Sequence, residues 1–271
     1  LSSLTSLTIQ IDEFPEEFSA TDRFLPFPSK CPNLTSLTIH QRSYQSTMTK
    51  QFAIQLLQQL SEFTQLISFE FIPRDMNFDD LDIFSQFILT LQSFTNLQLF
   101  SFFRLLKSIQ CSLLNDILRI ISSSCINLLS LNIRDIEFID FRSVEIEQII
   151  LSVSSKLTAL QWSNMGELPL IGSAWSQMTS LTSLDLSSMD IDSKSFKAIC
   201  QLSSLQHLTI GPDNLWYPLP SNWIDSLLVS QLSNQLRSLS LINIQLTDEQ
   251  SVTLITQFVR LTKLYFPFIR E

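Results

Sequence analysis

Glycine is almost missing from this chain: Gly166, Gly172 and Gly211 are the only three in 271 residues. Loops that cradle phosphate need glycine where the backbone must approach the ligand closely, so most routes to such loops are removed. Cysteine is scarce too. Cys31, Cys111, Cys125 and Cys200 lie far apart, and no two have the spacing of a metal knuckle or a redox pair. Isolated cysteines fit a reducing compartment, and a cytoplasmic location is expected. Histidine is limited to His40 and His207. No window of about 18 apolar residues occurs, so no membrane span is expected, and no secretory signal is visible. Lysine and arginine number 17 against 26 acidic residues, for a formal net charge of −9. Phosphate backbones are held mainly by Lys and Arg, so nucleic acid is not an expected partner. An acidic total favours solubility and is compatible with a basic protein partner.

Apolar residues are abundant at 45 %, ample for a buried core. They recur in a pattern. Leu4-x-x-Leu7-x-Ile9 returns as Leu34-x-x-Leu37-x-Ile39, Leu66-x-x-Phe69-x-Phe71 and Leu97-x-x-Phe100-x-Phe102. It continues at Leu128, Leu157, Leu181, Leu205, Leu236 and Leu261, ten copies in all, at spacings of 24 to 32 residues. In each copy the last two anchors are two residues apart, so both face one side of a short strand. Between copies run helical stretches. Phe52, Leu56, Leu57, Leu60 and Phe63 step at helical spacing, as do Leu81, Phe84, Phe87, Ile88, Leu91 and Phe94. Ile117, Leu118, Ile121 and Cys125 repeat the step, and so do Ile146, Ile149, Ile150 and Val153. Strand then helix, repeated, predicts an α/β solenoid with a parallel inner sheet and outer helices.

These segments resemble leucine-rich repeats. The long units are similar to the ribonuclease-inhibitor-like branch, as in the run from Leu239 to Gln250. The openings Cys31-Pro32-Asn33-Leu34 and Cys125-Ile126-Asn127-Leu128 resemble the repeats of F-box proteins. The resemblance implies a curved horseshoe over 1–271, one domain that binds another protein on its concave face. It further implies substrate recognition in an F-box-type ubiquitin ligase. The alternatives are the repeat region of a GTPase-activating protein, of a cytosolic immune-type receptor, or of an enzyme whose catalytic domain lies elsewhere. No catalytic residue, metal site or cofactor is expected within the chain, and a monomer is expected. Neither end shows a polar cap, so a longer array or a multidomain protein is expected. The family places Asn or Cys three residues after the last anchor; here those positions include Asp12, Arg42, Leu105, Met165, Ile244 and Ile269. Irregular turns are therefore expected.

Several residues invite a functional reading. Cys31 and Cys125 sit three residues before an anchor, a slot filled elsewhere by Leu1, Phe63, Phe94, Met178, Leu202 and Phe258, so they are expected to be buried and inert. His40 and His207 fall on the inner face in distant copies and cannot share a site. Asp79, Asp80, Asp248 and Glu249 precede or open helices and are expected to cap them. Glu16–Glu17 and Asp190 with Asp192 form no acid/base pair that the sequence supports. Asn33-Leu34-Thr35 is read as a chance glycosylation triplet.

The inner face is mostly Ser and Thr, with Asn132, Arg134, Gln161 and Asp185. Ile72, Leu99 and Phe103, beside Glu70, break that pattern, and so do Ile242 and Tyr265. An apolar cluster on a polar face is what a docking anchor looks like. The other readings are a covering loop, or a copy locally out of register. The loop 211–220 is stiffened by proline and carries Trp216 and Tyr217, with Trp223 following. Those rings are either contact anchors or packing against the next copy.

Overall fold

In the computed structural model, residues 1–11, 25, 28–41, 48–73, 76–103, 111–134, 151–163, 166–167, 172–211, 223–244 and 246–265 are described. The strands are β1 (Ser6–Ile11), β2 (Ser36–Gln41), β3 (Ser68–Ile72), β4 (Leu99–Phe103), β5 (Ser130–Arg134), β6 (Ala159–Ser163), β7 (Gly166–Glu167), β8 (Ser183–Ser187), β9 (Met189–Asp190), β10 (His207–Gly211), β11 (Ser238–Leu241) and β12 (Lys263–Tyr265). Ten of them form one sheet in the order β1-β2-β3-β4-β5-β6-β8-β10-β11-β12, and β7 pairs with β9 apart from it. Every pairing among the described residues is parallel, which requires a crossover between successive strands of the sheet. From β2 onward helices supply it: α1 (Lys50–Ser61), α2 (Leu81–Ser93), α3 (Cys111–Ser124), α4 (residues 151–154), α5 (Gly172–Trp175), α6 (Ser193–Ile199), α7 (Trp223–Leu228) and α8 (Asp248–Gln257); between β1 and β2 the described residues include one 3-10 turn, Pro28–Lys30. The chain divides into two compact units, one built mainly on Leu1–Asn132 and the other on Ile133–Asp135 and Asp140–Glu271.

In the first unit, β2 and β3 alternate strictly between half-buried and buried residues. Leu37, Ile39, Phe69, Phe71, Phe100 and Phe102 all point into the core. Phenylalanines interlock there: Phe69 meets Phe94 edge-on with centroids 5.0 Å apart, and Phe87 of α2 stacks on Phe102 at 5.4 Å. Helix starts are capped as short polar side chains dictate. Thr49 accepts from the Phe52 N–H, and Asp80 accepts from the N–H groups of Asp82 and Ile83. Lys50 at the head of α1 pairs with Asp80 and Asp82 at the head of α2. Those contacts raise the lysine pKa, and the lysine in turn lowers that of Asp80. Thr90 donates to the Leu57 carbonyl at 2.9 Å, tying the two helices together.

In the second unit the crossovers are shorter. The 24-residue spacings leave room for only seven residues in α6, whose N-cap is Asp192. Helix α8 is capped by Thr247 in a reciprocal box with Gln250, so Asp248 and Glu249 occupy the first turn and are not the cap. The turns after the strands are irregular, as expected without an Asn or Cys ladder. Ser188 and Asn243, each two residues past an anchor, take positive φ values of 60° and 54°. The Ser188 N–H donates to the Gly211 carbonyl at 2.7 Å, and the Ile242 N–H donates to the Ile210 carbonyl at 2.9 Å. A Cβ on Gly211 would collide with the Ile242 carbonyl, so glycine is required there for close backbone approach.

The regular hydrogen bonding lies at the other end of each strand. The Thr5 carbonyl accepts from both Thr35 and Ser36 N–H; Thr35 serves Ile67 and Ser68, and Ile67 serves Gln98 and Leu99. In the second unit Thr158, Thr182, Gln206 and Arg237 play the same part. Side chains just before the first anchor reinforce it. Asn33 donates to the Ser2 carbonyl, Asn96 to Thr64, Ser180 to Ser155 and Ser204 to Thr179.

Of the ten final anchors, Ile39, Phe71, Phe102, Ile133, Trp162, Leu186, Ile210 and Leu241 are buried. Ile9 is half-buried because β1 has a sheet neighbour on one side only, and Phe266 lies outside the described residues. The cysteine slot is buried at Cys31, Phe63, Phe94, Cys125, Met178, Leu202 and Phe258, whereas Leu1 in the first copy is 71 % exposed, contrary to expectation. Burial pushes the Cys125 and Cys200 thiols up to about 12.

Three outcomes follow. Leu131→Asp places an unpaired charge in a site 1 % exposed and should cost about 3 kcal/mol or more; an unchanged denaturant midpoint would contradict the register. Gly211→Ala should destabilise by about 1–3 kcal/mol with an unchanged denaturant slope, since it crowds one backbone crossing. With thiols held far above neutral pH, Cys125 and Cys200 should resist a disulfide labelling reagent at pH 8 until denaturant is added; prompt labelling of the native protein would refute their burial.

Candidate protein-binding face

Because side chains alternate along a strand, burial of the anchors turns the intervening residues to the opposite sheet face. In the first unit that face has three rows. Ser6, Ser36, Ser68 and Leu99 are mutual partners in one row, Thr8, Thr38, Glu70 and Ser101 in the next, and Gln10, His40 and Ile72 in the third. The core side of the same strands meets α2 through Phe71 and Phe102, so these rows lie opposite the helix layer.

Leu99 is 44 % exposed in a row otherwise of serine. Ile72 is half-exposed at the end of β3. Glu70 lies between them, one row from each. Its Oε2 accepts from the Thr38 hydroxyl at 3.5 Å, and its Oε1 lies 3.8 Å from His40 Nε2. Phe103 does not join them. β4 ends on two consecutive buried residues, Phe102 and Phe103, so the alternation stops and Phe103 is only 7 % exposed.

In the second unit the corresponding rows contain Ala159, Ser183, His207, Ser238 and Lys263, then Gln161, Asp185, Thr209, Ser240 and Tyr265. Gln161 donates to Asp185 across the strand pair, and the other Asp185 oxygen accepts from the Ser187 N–H at 2.9 Å. The sequence put both residues on this face but gave no sign that they bond. Tyr265 is 61 % exposed, and Arg134, at the end of β5, is half-exposed. Trp216 and Tyr217 lie outside the described residues. Trp175 and Trp223 are buried, the latter edge-on to Phe196 at 6.4 Å.

Sequence reading missed a groove of about 470 Å³ between α2 and α3, lined by Phe84, Ile88, Leu89, Asp116, Arg119 and Ile120. Helical spacing marked Phe84 and Ile88 as core, but it does not report how closely two helices pack. Among the described residues no cluster of three or more His, Cys, Asp or Glu could hold a metal ion, and no helix is long and apolar enough to cross a membrane.

No family model matches the sequence, and no curated protein matches it. Solved structures do. An internalin from Listeria monocytogenes is 15 % identical, with a TM-score of 0.38, over 89 % of this chain and 57 % of its own. The Drosophila Toll–Spatzle complex is matched at 12 % identity and a TM-score of 0.43, over 97 % of this chain and 40 % of the matched one. The leucine-rich-repeat ectodomain of the Arabidopsis receptor kinase HAESA, solved with a peptide hormone ligand, is matched at 14 % identity and 0.40, over 80 % and 36 %. This chain thus spans at most 57 % of these three matched chains. Ten parallel strands in one open sheet, each grown from a Leu-x-x-Leu-x-Ile-like segment, give the chain the α/β fold of leucine-rich-repeat arrays.

Proposed function

We propose that this chain is a non-catalytic protein-binding module that takes its partner on the sheet face opposite the helices. The observation that carries the reading is Leu99. In ten copies of one position, the others are six serines, an alanine, a histidine and a lysine, and Leu99 alone is a large aliphatic, 44 % exposed. An array gains nothing in stability from that exposure, whereas a docking partner would cover it. Ile72 and Glu70 complete the patch. Arg134, Tyr265, Trp216 and Tyr217 are the proposed contacts of the second unit.

The narrower proposal is substrate recognition within an F-box-type ubiquitin ligase, in the cytoplasm and as a monomer without cofactor. Its support is the pair of Cys-x-Asn-Leu openings, together with Cys31, Cys125 and Cys200 as free buried thiols. The cysteine-filled slot is a packing feature, so it supports the repeat type more directly than the ligase role.

The test compares capture from host lysate by the parent chain, by Ile72→Ser/Leu99→Ser, and by Leu89→Ser, which removes an exposed leucine from α2. A partner identified with the parent should bind the double variant about tenfold or more weakly and the Leu89 variant unchanged. Equal binding by all three would move the site off this face.

A further inference from the structure

Resting on that reading, we propose the chemistry of the partner: an extended segment with a lysine or arginine two residues from a large aliphatic side chain. The cation would sit on Glu70 and the aliphatic group on Leu99.

The register supplies the spacing. Glu70 stands opposite Ser101, and Leu99 stands opposite Ser68, so Glu70 and Leu99 are diagonal neighbours on adjacent strands. With strands about 4.8 Å apart and about 6.6 Å between alternate residues, the diagonal is about 8 Å. In an extended chain, residues two apart point the same way and are separated by about 6.6–6.8 Å. One such pair therefore spans the two groups without bending the ligand.

The surroundings of Glu70 supply the charge. Its carboxylate side chain is 34 % exposed. From β2 it is faced by Thr38 and His40, from β4 by Ser101, and along its own strand by Ser68 and Ile72. None of these is Lys or Arg. The Thr38 hydroxyl is an uncharged donor at the long distance of 3.5 Å, and the His40 nitrogen at 3.8 Å is beyond hydrogen-bond distance. The carboxylate thus keeps acceptor capacity that an ammonium or guanidinium would fill. The formal charge of −9 steers a cationic segment toward the chain and an anionic one away.

The experiment pans a random linear peptide library against the full chain, then measures the best synthetic peptides against Glu70→Gln, Leu99→Ser and Leu89→Ser. Leu99 is exposed and Glu70 half-exposed, and matching unfolding midpoints would confirm that both variants fold. The expected result is a shared Lys/Arg-x-aliphatic or reversed motif. Binding should weaken about tenfold in Glu70→Gln and in Leu99→Ser, fall with added salt, and stay unchanged in Leu89→Ser. Enriched peptides that lack a cation, or that ignore Glu70→Gln while losing affinity in Leu99→Ser, would overturn the partner chemistry and leave the binding face standing. No enrichment, or equal binding by every variant, would overturn both.

Discussion

Everything in this molecule depends on how one strand start is joined to the next. At eight strand junctions two successive N–H groups converge on a single carbonyl of the preceding copy, as when Ile67 and Ser68 both donate to Thr35 at 2.8 and 2.9 Å. A buried backbone donor without a partner costs about 1–3 kcal/mol, so this junction has little freedom to slip. Slip by one residue would also turn every anchor to the outside. The junction therefore fixes register, register fixes which side chains are buried, and the rest follow onto the open face. Threonine side chains strengthen it: Thr182 and Thr262 send their hydroxyls to the same carbonyls, Thr158 and Arg237, that their backbones use.

This arrangement explains how the chain does without the ladder its relatives by resemblance place after the strand. Regularity has moved to the turn from helix to strand, where Asn33, Asn96, Ser180 and Ser204 each reach back one copy. The turn after the strand is left free to vary. It uses positive φ at Ser188 and Asn243, and a bare glycine where Gly211 passes Ile242.

The fold was largely legible in the sequence because its information is periodic. Anchors such as Leu37 and Ile39 repeat at a fixed offset, and helices such as the one over Lys50–Ser61 carry a long apolar stripe. The cysteine slot was readable for the same reason, since Phe63 and Met178 mark it as apolar. What escaped the sequence was set by neighbours remote in the chain. Phe103 was expected on the open face by alternation, but the strand ends with two buried residues in succession. The cap of α8 is an exception because it is local: Thr247 caps in place of Asp248, and the Thr247-x-x-Gln250 spacing of a capping box carries that signal in the sequence itself. Glu70 was visible as a charged residue on the open face, but its companions, Thr38 and His40, come from the strand some 30 residues earlier.

The same logic ranks the candidate residues. Outward positions carry no packing constraint from the core, so small polar residues satisfy them at every copy, as Ser6, Ser36 and Ser68 do. A departure there is informative only if the side chain is left uncovered. Phe103 departs from polarity yet is 7 % exposed, so it gains its place by packing. Leu99 and Tyr265 remain exposed, so packing does not account for them. Of the two, Leu99 stands diagonal to a carboxylate that, among the described residues, faces no lysine or arginine, whereas Tyr265 sits on the last described strand with a sheet neighbour on one side only. Exposure at a sheet edge follows from position alone; exposure at Leu99, within the sheet and between occupied strands, does not, and this places the weight of a binding reading on the first unit.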